Sequence, residues 1–177
     1  MAAEAAGEID GRAGAATAVG ERLAAIYGEI AERSMRDLPV FNPKLRVEAV
    51  GFHDDGARVI GIVATPWFMN VVVAASPLGP DLAVRPAGAT VTHELPSGAY
   101  DFVVGAIDGF GRLDSLSLFS PMFEFDDPQV MLTTAEAAMA ELLRVPEPER
   151  SAAKEKTAID RRALLFGRRS SDETAAP

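Results

Sequence analysis
The sequence predicts an α+β fold: an antiparallel β-sheet meander of about five or six strands, with an N-terminal and a C-terminal helix packed on one face. Three observations carry this. Apolar residues recur at helical spacing between positions 17 and 38, at a period of two from Leu45 to Phe119, and at helical spacing again after Asp127. The connectors between successive period-two runs are short, and parallel pairs need long crossovers, so neighbouring strands are antiparallel. No internal repeat interrupts the order helix, strands, helix.

Residues 1–16 are Ala/Gly-rich and aperiodic and read as a disordered N-terminal tail. Thr17 stands where a helix N-cap belongs. Leu23, Ile26, Tyr27, Ile30 and Ser34 follow on one helical face, opposite Glu21, Arg22, Glu29, Glu32 and Arg33. This helix stops before Pro39, and Pro39 and Pro43 bracket an irregular link. Leu45, Val47 and Ala49 alternate with Arg46 and Glu48 in a strand reaching Phe52. Asp54-Asp55-Gly56 reads as a hairpin turn, the glycine supplying a positive φ. Arg58–Thr65 is the return strand, with Val59 and Val63 on one side and Ile60 and Ile62 on the other. Pro66 breaks the ladder before a Val-rich strand from Trp67 to Ala75. Pro77, Gly79, Pro80 and Pro86 make 76–88 a loop. Strands follow at 89–95, 99–107 and 112–119, joined by Pro96-Ser97-Gly98 and by Asp108-Gly109-Phe110-Gly111. Asp127 and Pro128 are the N-cap and first residue of the last helix, whose Met131, Ala135, Ala138, Met139 and Leu142 line one face. Residues 17–145 thus form a single α+β domain, followed by a flexible tail over 146–177.

Composition removes several functions. With no cysteine, the chain has no disulfide, thiol nucleophile or thiolate metal site. No apolar run approaches the ~20 residues of a spanning helix, and the first residues lack the apolar core of a secretory signal. Both point to a cytoplasmic protein with no membrane insertion. A net charge of −9 argues against nucleic acid as a partner. Residues 1–145 carry ten Lys/Arg against twenty Asp/Glu, whereas 146–177 carry seven against six. An acidic body with a basic tail favours basic partners, or its own tail.

No catalytic constellation is present. His53 beside a turn and His93 in a strand stand at no metal-ligand spacing, and His93 and Glu94 point to opposite faces, so both histidines read as solvated surface residues. The run Gly105–Gly111 lacks the helix start and lysine of a phosphate loop. Ser115 and Ser117 alternate with Leu116 and Leu118 as in a half-buried strand. The expectation is a protein that is not an enzyme and carries neither metal nor cofactor.

Two other features point to protein recognition. Trp67, Phe68, Met69 and Asn70 follow a strand-interrupting proline, and Pro121, Met122, Phe123, Glu124 and Asp126 repeat that chemistry at another strand end. Met and aromatic side chains make an adaptable apolar surface, and carboxylates beside it suit arginine; the alternative is that these residues close the core and cap a helix, above all at Asp127. In the tail, Arg161 and Arg162, one spacer and then Leu164, Leu165 and Phe166 have the grammar of a twin-arginine export signal, at the wrong end and without a long apolar region. The alternatives are a pseudo-signal that occupies the chain's own acidic, apolar groove and a basic terminal helix.

Several segments together resemble the [NiFe]-hydrogenase assembly chaperone family of HybE type. They are Asp37-Leu38-Pro39 with Asn42-Pro43, Val47–Phe52, Thr65–Asn70, Leu95–Tyr100, Ser117–Met122 and Arg161–Arg169, in that order across residues 23–169. The resemblance implies a secretion-chaperone-like α+β fold and an accessory role in hydrogenase maturation. It implies as partners the small-subunit precursor, which carries a twin-arginine signal, and the large subunit. Some relatives are associated with a rubredoxin-like module, for which this chain has no cysteine. Three functions follow: a chaperone that binds the signal-bearing precursor and delays its export until assembly, a structural adaptor for folded subunits that ignores the signal, and an enzyme or metal-delivery factor, disfavoured by the missing ligands.

Overall fold
Val59 and Val63 on one side of a strand, with Ile60 and Ile62 on the other, require an apolar cover on each face. The computed structural model, which describes residues 2–145 with side chains from Ile9 onward, supplies two covers. The elements are α1 (Ala2–Ile30), a π-helical turn (Ala31–Met35), β1 (Glu48–Asp54), β2 (Arg58–Ala64), β3 (Met69–Ala75), β4 (Thr90–Leu95), β5 (Gly98–Ile107), β6 (Gly111–Phe119) and α2 (Pro128–Leu142). Val59, Val63, Val72 and Ala74 share one buried cluster with Ala16, Val19 and Leu23 of α1. Ile60, Ile62, Val71 and Val73 share the other with Met131, Ala135, Met139 and Leu142 of α2. The α+β class holds, but the helices lie on opposite faces of the sheet, where one shared face was expected. The two apolar sides of β2 and β3 would otherwise leave one side in water.

All strand pairs are antiparallel, in the order β1-β2-β3-β6-β5-β4. The sheet is therefore two three-stranded meanders joined where β3 pairs with β6, and residues 76–89 carry the chain across to the far edge. The physical reason lies in the strands. β3 is buried on both faces and needs inner neighbours, whereas β4 exposes Thr90, Thr92 and Glu94 and suits an edge. Gly56, Gly109 and Gly111 hold the positive φ their hairpins need.

The N-terminal segment departs from expectation. It is helical from Ala2, and Thr17 is not a cap: its Oγ1 donates to the Ala13 carbonyl within the helix. Alanine is the strongest helix former, and Ala16 is wholly buried, so the Ala/Gly composition builds helix here and not an irregular tail. Phe52 fixes the distance between α1 and the sheet. A Cβ placed on Gly20 would lie 2.8 Å from its ring, and one on Gly61 would lie 2.5 Å from it. A bulge in β1 between Val50 and His53, with Gly51 at φ 64°, brings Phe52 to that side.

A candidate partner-binding end of the sheet
The turn between β2 and β3 is built on Thr65. Its amide donates to the Phe68 carbonyl at 2.7 Å, and its Oγ1 accepts from the amides of Trp67 and Phe68 at 3.2 and 3.0 Å. Trp67 and Phe68 thus belong to the turn and not to a strand. Their rings meet Tyr27 from the last turns of α1 and Phe41 from the link after it. The ring centroids lie 5.6 Å apart for Trp67–Phe68, 5.3 Å for Tyr27–Phe68, 6.4 Å for Tyr27–Trp67 and 6.3 Å for Phe41–Trp67. Burial pushes the Tyr27 phenol pKa up.

Asn42 joins this turn to the second apolar segment. Its amide donates to the Pro66 carbonyl at 2.9 Å, and its Nδ2 donates to the carbonyls of Met122 and Phe125 at 2.9 and 2.8 Å. Lys44 pairs with Asp126 across the same junction. The two segments singled out in the sequence, Thr65–Asn70 and Ser120–Asp126, therefore lie at one end of the sheet, where Met69 also pairs with Phe119.

Within that end the candidate residues divide. Met69 and Met122 are fully buried, so they form the floor and have no surface to offer a partner. Trp67, Phe68 and Asn70 are half-buried, and Pro121, Phe123, Glu124 and Asp126 are exposed, Phe123 by 54%. Asp126 is engaged with Lys44, whereas Glu124 makes no ion pair among the described residues. Asp127 caps α2, accepting from the Gln129 amide at 2.8 Å. Asn70 Oδ1 is the one buried side-chain polar atom without a hydrogen-bond partner among the described residues. Leu38 and Val40 add exposed apolar surface on the link that holds Phe41 and Asn42. Sequence reasoning passed over them as a proline-bracketed linker, although Leu38, Val40 and Phe41 spell an apolar run inside it. Arg161, Arg162, Leu164, Leu165 and Phe166 lie outside the described residues.

His93 is not the solvated residue expected; it is 7% exposed. Its Nδ1 is 2.8 Å from an Arg58 guanidinium nitrogen, and its Nε2 is 2.9 Å from Asp114 Oδ2. Arginine can only donate, so Nδ1 accepts and Nε2 carries the proton donated to Asp114. Arg58 also donates to the Glu94 carbonyl, and Arg112 binds both Asp114 oxygens at 2.8 and 2.7 Å. Burial by itself raises the Asp114 pKa, but the hydrogen bonds from Arg112 and His93 and the Arg112 charge outweigh it, and the pKa lies below the ordinary carboxylate value. With both ring nitrogens engaged, His93 ties β2, β4 and β6 together. Among the described residues no group of three His, Cys, Asp or Glu is placed to hold a metal ion, and no helix is long and apolar enough to cross a membrane.

Fold and geometry together define a small α+β protein that presents an apolar, carboxylate-bordered end of its sheet, built from four separate segments. Comparison with known proteins gives the family. Residues 18–167 match the family model described as "[NiFe]-hydrogenase assembly, chaperone, HybE", and the chain belongs to that family. It is 45% identical over 155 residues to the hydrogenase expression/formation protein HupJ of Bradyrhizobium diazoefficiens, covering 86% of this chain and 89% of the relative. It is 34% identical over 165 residues to the hydrogenase-2 operon protein HybE of Escherichia coli K12, covering 90% and 96%. The solution structure of HybE from Escherichia coli matches at a TM-score of 0.57 and 30% identity, over 86% of this chain and 91% of that one. The family consists of assembly chaperones for hydrogenase maturation and is not a catalytic one.

Proposed function
We propose that this chain is a cytoplasmic chaperone that grips the twin-arginine segment of a hydrogenase small-subunit precursor at the aromatic end of its sheet, delaying export until assembly. Trp67, Phe68 and Phe123, with Pro121 beside them, take the apolar part of the segment, while Glu124 and Asp126 take its arginines. Asn70 offers an amide to the bound backbone, and Met69 and Met122 hold the floor. One observation carries the reading: Phe123 stands exposed next to a carboxylate with no ion partner among the described residues, on a loop that Asn42 fixes against the Trp67 turn. Asp126 exchanges Lys44 for an arginine, whose planar fork fits a carboxylate in two bonds where lysine makes a point contact.

In the same reading the chain's own Arg161–Phe166 run is a pseudo-signal that competes with the precursor's signal. A tethered weak competitor gains from its high effective concentration. Pull-down of the small-subunit precursor with and without its signal tests the reading. Recovery only with the signal is expected, and equal recovery removes the signal from the mechanism. Equal recovery would favour an adaptor for folded subunits, including the large subunit, a reading suited to the already packed Trp67–Phe68–Tyr27 cluster.

A further inference from the structure
Residues 1–145 hold ten Lys/Arg among twenty Asp/Glu, so almost every cation should find a carboxylate. Among the described residues eight of the ten do. The two that make no ion pair, Arg22 and Arg85, line the same cavity. It measures about 830 Å³, is open to solvent and lies at the far end of β3 from the aromatic turn, walled by α1, the loop after β3 and the β5–β6 turn.

The two cations differ in how they are held. Arg22 donates to the Gly109 carbonyl, and its guanidinium carbon lies 5.4 Å from the centre of the Phe110 ring. That fixes a positive charge in place without neutralising it. Arg85, on the exposed loop, makes no ion pair or hydrogen bond among the described residues. A third guanidinium in the lining, Arg112, is cancelled by Asp114, and Asp81 contributes one negative charge. The cavity therefore carries an excess of one positive charge inside an acidic body, with Val19 and Leu82 as apolar walls. One unit of charge suits a single carboxylate and is too little for a polyphosphate. The lining takes α1 at Ala18–Arg22, in mid-helix, so no row of free helix amides is available to cradle phosphate.

We propose that this cavity is a second docking point, which receives an acidic side chain of a polypeptide partner, flanked by aliphatic residues. A polypeptide is chosen over a free metabolite because the cavity is open and because the family assembles protein subunits. Beyond the cavity's own lining and charge, only family membership enters here, so this docking point and the reading of the aromatic end can fail separately. A partner engaging both would span about 23 Å, the length of a seven-residue strand at ~3.3 Å per residue.

The test uses the full chain, with arginine Nε–H signals followed by NMR during titration. The probes are acetyl-Ala-Leu-Glu-Leu-Ala-amide, its glutamine counterpart, succinate and inorganic phosphate. Saturable shifts of Arg22 and Arg85 are expected with the glutamate peptide, with affinity about tenfold above the glutamine peptide, as for a charge-assisted contact. Arg22→Gln should abolish them, and Arg85→Gln, on an exposed loop where folding is not at stake, should weaken them about fivefold or more. Equal binding of the two peptides, binding of phosphate or succinate as tight as the glutamate peptide, or no shift of either arginine would each overturn the proposal.

Discussion

Asn42→Ala is the substitution with the widest consequences for this account. The side chain makes three hydrogen bonds: Nδ2 to the carbonyls of Met122 and Phe125, and Oδ1 from the Lys44 amide. Each is worth a net ~1 kcal/mol. The Met122 carbonyl keeps a weaker donor in the Phe125 amide at 3.3 Å, but the Phe125 carbonyl is left without one in a buried position. A loss of about 3 kcal/mol follows, or roughly 9 °C in melting temperature at ~2–4 °C per kcal/mol for a chain of this size. Urea unfolding followed by Trp67 fluorescence measures it. Asn42→Asp should be at least as damaging, because it faces two carbonyls with an oxygen. The functional effect should exceed the stability effect. With the 120–126 segment released from the Trp67 turn, precursor capture should fall even at temperatures where the variant is fully folded. A cost under about 1 kcal/mol, or unchanged capture by a destabilised variant, refutes the argument that Asn42 assembles the site.

Three further outcomes are expected. Gly61→Ala places a methyl 2.5 Å from the Phe52 ring and should cost about 2 kcal/mol, partly recovered by Phe52→Leu, as read by thermal melting. The depressed Asp114 pKa gives stability that is fully present above the unfolded carboxylate value of about 3.9 and is lost as pH falls through the lower folded value. Unfolding free energies measured from pH 7 downward should therefore drop in that window, and Asp114→Asn should be less stable at neutral pH with a flatter acid limb. Deleting residues 161–177 should raise affinity for a free twin-arginine peptide severalfold in calorimetry; unchanged or weaker binding would make the tail a contact element or a bystander.

Much of the architecture could be read before any coordinates, wherever a local signal decided the matter. The switch from helical to two-residue periodicity, the Asp54-Asp55-Gly56 turn and the Asp127-Pro128 start of α2 are each set by a few adjacent residues. Non-local features were not legible. Nothing near His93 in the sequence marks it as buried, because its partners Arg58 and Asp114 are 35 and 21 residues away. The strand order depends on β3 preferring β6 to its sequence neighbour β4, a choice made by burial on both faces. The two faces of β2 did announce two covers, through Val59 and Val63 against Ile60 and Ile62, yet only one was expected. At the site, the aromatic and proline-bearing segments were visible as composition. That they meet, and that Asn42, Phe41 and Leu38 complete them, follows from packing across about 80 residues of sequence.

The central claim is that this end of the sheet reads arginine beside apolar side chains in a flexible segment. Calorimetric titration of the full chain with a twin-arginine signal peptide and its twin-lysine counterpart examines it directly, with the double variant Phe123→Ala, Glu124→Gln in parallel. The account predicts binding about tenfold weaker for the lysine peptide and a comparable loss in the variant. Identical isotherms for the two peptides, or an unaffected variant, would contradict it.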